Sequence, residues 1–182
     1  MNPRRLATVV MLLVLLGCRH RELTSGEGYE AAAKKAHEWL ACDQRDDPAC
    51  AVALMHIPPI YEGDALEKER QIMIRGVRLL RDRFGGITAF GPPATEVRMA
   101  AISWASGTDE YWRKCRRSST ATFPVVFSKL SSGYLKTEVC DIDGTWQMKA
   151  VHYGLPLSNP SSAPMIEMID RELGGAATTA KR

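Results

Sequence analysis

The sequence has 182 residues, with 24 Lys and Arg against 21 Asp and Glu and a formal charge of +3. That is one domain's worth of chain, enough to bury a real core without splitting. The near balance of charge gives no reason to expect nucleic acid as a partner.

Arg4 and Arg5 precede an apolar run, Leu6 to Leu16, broken only by Thr8 and ending in Gly17 and Cys18. This is the order of a secretory signal, a charged start followed by an apolar stretch. A membrane-spanning helix needs roughly 20 apolar residues, and this run stops short, before Arg19, His20 and Arg21. Residues 1–17 are therefore expected to be a cleaved signal. Without Arg4 and Arg5 the balance falls to 22 basic against 21 acidic residues, or +1. Residues 18–28 form a polar tether, 29–155 a globular domain, and 156–182 a Pro- and Ser-rich loop, a short helix and a frayed tail.

From Tyr29 the apolar positions Tyr29, Ala32, Ala33, Ala36, Trp39 and Leu40 recur at helical spacing. Asp47 and Pro48 read as an N-cap and first helical residue of a short helix that stops before Pro58 and Pro59. Asp64 with Glu67 three residues on resembles a capping box. It opens the strongest helix, striped by Leu66, Met73, Val77, Leu80 and Phe84 and stopped by Gly85 and Gly86, which release the chain into a strand, Ile87–Phe90. From Val97 the period becomes two: Val97, Met99, Ala101 and Ser103 face one way, and Arg98, Ala100, Ile102 and Trp104 the other. Gly107 and Asp109 mark a turn. Strands are then expected at Thr122–Phe127, Tyr134–Cys140 and Trp146–Tyr153, joined through Ser131-Ser132-Gly133 and Asp141-Ile142-Asp143-Gly144 into an antiparallel meander. A last helix, Met165–Leu173, ends at Gly174.

Setting Cys18 aside leaves Cys42, Cys50, Cys115 and Cys140, an even number suited to disulfides in an oxidising compartment. Three pairings are possible. The short loop through Asp46, Asp47 and Pro48 favours Cys42 with Cys50, leaving Cys115 with Cys140. A structural zinc would need closer ligand spacing than these cysteines and the scattered His20, His37, His56 and His152 provide.

Two resemblances follow. Leu15-Leu16-Gly17-Cys18, with its flanks, resembles the bacterial lipobox, which implies that Cys18 carries a diacylglycerol and becomes the first mature residue. In that family an acidic residue after the cysteine retains the protein in the inner membrane. Arg19 stands there instead, which implies the outer membrane, periplasmic side. The second is carried by Ala36-His37-Glu38-Trp39-Leu40, Arg83-Phe84-Gly85-Gly86-Ile87 and Asp143-Gly144-Thr145-Trp146 leading to Tyr153-Gly154. It is a resemblance to small envelope domains of the cystatin-like and NTF2-like superfamily. It implies an α+β fold with N-terminal helices on a curved antiparallel sheet and a short C-terminal helix, but licenses no activity by itself.

Candidate sites stand with alternatives open. His152, with Trp146 and Tyr134, lines a pocket on the concave sheet face, or His152 is a satisfied core histidine. His37 beside Glu38 is a general base or a surface pair; adjacent helical residues do not face one another. Asp141 to Gly144 is the start of a calcium loop or a hairpin turn. Arg113, Lys114, Arg116 and Arg117 around Cys115 form a contact patch for anionic lipid, peptidoglycan or an acidic partner, or they guard a strand edge. No nucleophile elbow, phosphate loop or zinc helix motif is present, and no cofactor or metal is implied. The expected role is a non-catalytic binding or envelope-assembly module, anchored in the membrane by lipid on Cys18 and meeting an envelope protein partner. Its rivals are an NTF2-like ligand or enzyme pocket and an inhibitor or immunity protein against a cell-wall-directed enzyme.

Overall fold

The computed structural model describes residues 26–59, 62–94, 97–105 and 109–172. The signal, Cys18, most of the tether, the turn at Gly107, the Gly174 cap and the tail from Ala176 lie outside the described residues. Three helices come first, α1 (Glu27–Gln44), α2 (Pro48–Ala53) and α3 (Asp64–Phe84), followed by strands β1 (Ile87–Phe90) and β2 (Met99–Ala105). A single turn, α4 (Asp109–Trp112), leads to β3 (Arg117–Phe127), β4 (Leu130–Ile142) and β5 (Thr145–Pro156), and α5 (Ser162–Glu172) closes the described chain. The strands form one antiparallel sheet in the order β1-β3-β4-β5-β2. This is the expected α+β architecture, helices packed on an antiparallel sheet with a short C-terminal helix.

The alanine stripe of α1 decides how closely that helix approaches the sheet. Ala32 and Ala36 are fully buried, and the Thr137 hydroxyl on β4 donates to the Ala32 carbonyl at 2.8 Å. α3 sits further out on larger side chains, Met73, Val77, Leu80 and Phe84. The core between the layers is aromatic at its centre. Trp39 Nε1 donates to the Tyr153 hydroxyl at 2.8 Å, and Phe84, Phe127 and Tyr153 pack ring on ring. Burial, and then the charge of Asp43, push the Tyr153 phenol far above its ordinary range, so it stays neutral.

Asp43, near the end of α1, is only 6% exposed, and its charge is fully employed. One carboxylate oxygen meets Arg81 of α3 at 3.0 Å and the other accepts from the Ile87 amide at 2.7 Å, while Arg81 also reaches the Asp43 carbonyl and the Asp46 carboxylate. One buried group thus joins α1, α3 and β1. Cys42 is bonded to Cys50 and Cys115 to Cys140, the expected pairs.

Local chemistry explains most boundaries. Asp47 caps α2 by accepting from the Cys50 amide, with Pro48 in the first turn. Asp143 (φ 53°) and Gly144 (φ 81°) both adopt positive φ in a two-residue turn, and Asp141 accepts from the Gly144 amide at 2.9 Å. That is the hairpin reading of this segment. Four expectations are corrected. α1 begins at Glu27, two residues before the expected start at Tyr29, and its Gly28 lies against the Trp146 ring. α3 is capped by Gly63 without a side-chain bond; Asp64 is helical and Glu67 accepts from Gln71 instead. The β3–β4 hairpin turns at Ser128-Lys129, not at Ser131 to Gly133, which belong to β4. The Ser128 amide donates to the Gly86 carbonyl and the Lys129 amide to the Phe84 carbonyl, so the free end of α3 fixes the turn. The last three strands are also longer than expected, β3 at its start and β4 and β5 at both ends.

Gly76 lets α3 cross the Trp104 ring of β2, where an added Cβ runs into three ring carbons. Helix propensity alone makes Gly76→Ala stabilising by up to ~1 kcal/mol. Overpacking opposes it by about 1–3 kcal/mol. We expect the collision to win, so that urea denaturation shows a net loss of stability for Gly76→Ala; a gain would contradict the packing described.

Candidate functional site

Two regions outside the core gather chemistry. The first begins at α2, which the Cys42–Cys50 bond holds against α1. Beyond α2 the chain runs alongside β5: Met55 bridges Met148 in parallel and the His56 amide donates to the Met148 carbonyl at 2.9 Å. β2 ends opposite Ala150, so this loop takes over pairing with β5 where β2 leaves it. Between α2, the loop and the first half of α3 lies a groove of about 770 Å³. Its apolar walls include Val52, Met55, Ile57, Leu66 and Ile74, with Glu67 and Arg70 among its charged residues.

His56 is among the residues that line this groove. Its Nε2 lies 2.6 Å from the Tyr111 hydroxyl, which donates to Gln147 Oε1 at 3.3 Å, and the His56 and Tyr111 rings stack with centroids 5.5 Å apart. Burial lowers the His56 pKa from its ordinary value; burial, and then Asp143, raise that of Tyr111. Both shifts favour the neutral forms. Tyr111 belongs to α4, so the contact ties the groove loop to a segment fastened to β4 by Cys115–Cys140. Trp112, Cys140 and Ile142 form a small apolar cluster there, separate from the main core.

The second region is a polar row on the sheet face turned away from the helices. Ser103 Oγ lies 2.7 Å from His152 Nδ1, His152 Nε2 stands 3.8 Å from Glu138, and Lys149 Nζ bonds Glu138 at 2.8 Å. The row crosses β2, β5 and β4. A bulge builds it: Glu138 pairs with Ala150 and Val139 with Met148, leaving Lys149 as the extra residue. Burial alone pushes the Glu138 carboxyl up. The approach of His152 and the bond and charge of Lys149 outweigh that and hold it at about 2. At 3.8 Å the His152 contact is longer than an ordinary hydrogen bond, whereas Lys149 bonds the carboxylate directly.

The same bulge separates the residues expected to line one pocket. Trp146 and Met148 lie on the helix side, where Trp146 packs against the core and under Arg117, whose guanidinium is 5.1 Å from the ring. Past the bulge the parity flips, and Val151 and Tyr153 turn inward while His152 turns outward. Tyr134 lies on the His152 side, offset from the buried Leu135. The concave helix side is filled by core side chains, so His152, Trp146 and Tyr134 do not form a pocket together.

His37 is an exposed residue whose ring packs edge-on against Phe90 and Phe123, and Glu38 pairs with Lys35, so the two form a surface pair. Arg113, Lys114, Arg116 and Arg117 are all exposed, but their charges are largely engaged. Arg117 makes a two-point contact with the buried Asp141 at 2.9 and 2.7 Å, Arg116 lies 3.7 Å from Asp143, and Lys114 sits over the Tyr111 ring. Asp141 is thus committed to Arg117 and to its own turn. Sequence reasoning passed over Ser103, Glu138, Lys149 and the His56–Tyr111 pair. Strand alternation put Ser103 on one face with Val97, Met99 and Ala101, and nothing local announces the bulge that supplies Lys149.

Comparison with known proteins finds no matching family model, no matching curated protein and no matching solved structure.

The Glu138 carboxylate yields a pH prediction. Its folded value of about 2 is below the 4.5 of the free group, so its stabilising effect is present above 4.5 and is lost as pH falls toward 2. Wild type should therefore lose more stability than Glu138→Gln across that window. Parallel curves for the two proteins would show that the row contributes nothing.

Proposed function

We propose that this chain is an exported lipoprotein, anchored through Cys18 on the periplasmic side of the bacterial outer membrane, and that its domain is a non-catalytic binding or envelope-assembly module. In this reading the groove between α2 and α3 receives an apolar segment of an envelope protein. The groove is the observation that carries it: about 770 Å³ walled by apolar side chains from two helices and a loop, with charged residues beside them. Such a wall rewards apolar burial, at about 25 cal/mol per Å², while the flanking charges select orientation. The anchor rests on the signal pattern, with Leu15 to Cys18 at its end. Two closed cysteine pairs fit an oxidising compartment. The likeness to cystatin-like and NTF2-like domains belongs to this proposal too; helices over an antiparallel sheet agree with it.

A second reading has the same groove as support, since small-molecule sites also run to about 300–1,000 Å³. In that case a small apolar ligand fills it, and no partner chain is involved.

Labelled palmitate should enter the wild-type protein and not Cys18→Ser; no label in either would overturn the anchor. For the groove, a photo-crosslinking residue at Leu66, half-buried on its wall, should capture one envelope protein in stoichiometric yield. We expect Ile74→Glu to reduce that yield tenfold or more. Capture of nothing, with a small molecule retained in native mass spectrometry, would transfer the site to the second reading. Neither outcome would remove the groove from the function.

A further inference from the structure

We propose that Ser103 is a modification site, a nucleophilic hydroxyl that takes an acyl group from an activated carboxylic ester or thioester, with His152 as its general base. A serine hydroxyl is a weak nucleophile until a neighbouring base takes its proton, and that base in turn is oriented by a third group. The polar row supplies these three parts from three strands: Ser103 on β2, His152 on β5 and Glu138 on β4.

The row also decides which imidazole nitrogen is the base. His152 Nε2 is buried and has no hydrogen-bond partner among the described residues, and the Glu138 carboxylate stands 3.8 Å from it. That carboxylate is ionised at neutral pH, so its charge favours the imidazole proton on Nε2. Nδ1 is left with its lone pair, 2.7 Å from Ser103 Oγ and within the reach of a general base. The hydroxyl therefore donates to the ring. Glu138 acts only through the imidazole and is a positioning residue, itself held by Lys149 at 2.8 Å. Lys136 stands opposite His152 in the β4–β5 register and adds a positive charge to that face.

The hydroxyl can be approached. Ser103 is half-buried, and its neighbours along β2 on the same face are Ala101, half-buried, and Ala105, exposed. Only methyl groups flank it along the strand.

In the transfer, Ser103 Oγ bonds the carbonyl carbon as its proton passes to His152 Nδ1. The tetrahedral intermediate then collapses, the bond to the alcohol or thiol breaks, and that leaving group departs with the proton from Nδ1. The imidazolium formed in between lies beside Glu138, whose charge offsets its own. One donor is consumed per chain, and the product is an acylated Ser103 on the sheet face turned away from the helices. Neither the lipid anchor nor the groove enters this inference.

The test uses the full chain with Cys18→Ser, so that no thiol at that position competes, and p-nitrophenyl acetate as the acyl donor. Release of nitrophenolate should be matched by one acetyl group, which peptide mapping after acid quench should place on Ser103 and not on the exposed Ser131 or Ser132. Ser103→Ala should abolish that label, and His152→Gln should slow labelling of Ser103 by at least about tenfold without changing circular dichroism. The rate should rise with pH through one inflection as the imidazole loses its proton, and Glu138→Gln should move that inflection to lower pH; a merely structural row would do neither. Should His152→Gln fail to fold, the pH profile of the otherwise unaltered chain decides. No label on Ser103, a labelling rate that His152→Gln leaves unchanged, or a profile without the inflection would each overturn the inference.

Discussion

The fold turns on one buried carboxylate. Asp43 stands where the end of α1, the last turns of α3 and the first residue of β1 meet, and a charge in that position is tolerable only because each of its oxygens is occupied. Breaking a buried ion pair by removing one partner typically costs about 3–5 kcal/mol, well above the ~1 kcal/mol of an ordinary surface pair. Arg81 meets Asp43 and Asp46 together, and the Ile87 amide donates to the other Asp43 oxygen at the sheet edge. The crossing of α1 and α3 and the entry of the chain into the sheet are thereby fixed relative to one another. The hairpin at Ser128-Lys129 is fixed from the same corner, because its amides satisfy the Gly86 and Phe84 carbonyls at the end of α3.

What the sequence discloses depends on how far apart the cooperating residues lie. Asp47-Pro48, Gly85, Ile87–Phe90 and Asp143-Gly144 declare themselves, because capping, positive φ and short alternation are settled within a few residues. The two cysteine pairs also follow from count and loop length. Tertiary decisions do not declare themselves. Ser131-Ser132-Gly133 has turn chemistry and is nonetheless strand, since α3 captures the chain three residues earlier. The Lys149 bulge reverses the parity of β5, so strict alternation places His152 beside Trp146 when they lie on opposite faces. The groove was invisible for a related reason. Its walls come from α2, an irregular loop and α3, and one lining residue, His56, finds Tyr111 55 residues away.

The proposed function rests on the same layout. The helix side of the sheet is occupied by Trp39, Phe84, Phe127 and Tyr153, so the proposed binding falls to surfaces at the margins. The groove between α2 and α3 is the one this proposal uses. On the proposed reading, a lipid on Cys18 would add reach as a constraint: about eight residues to the start of α1, at ~3.3–3.6 Å each, would keep the domain within some tens of ångströms of the bilayer.

The organising role of Asp43 is open to direct measurement through a double-mutant cycle in urea denaturation, using Asp43→Asn, Arg81→Met and the pair. If the carboxylate and the guanidinium act as one unit, each single change should be strongly destabilising. The double variant should lose less than their sum by about 1–3 kcal/mol. Additivity within ~0.5 kcal/mol would show that the two residues act independently, and would contradict the account of the fold given above.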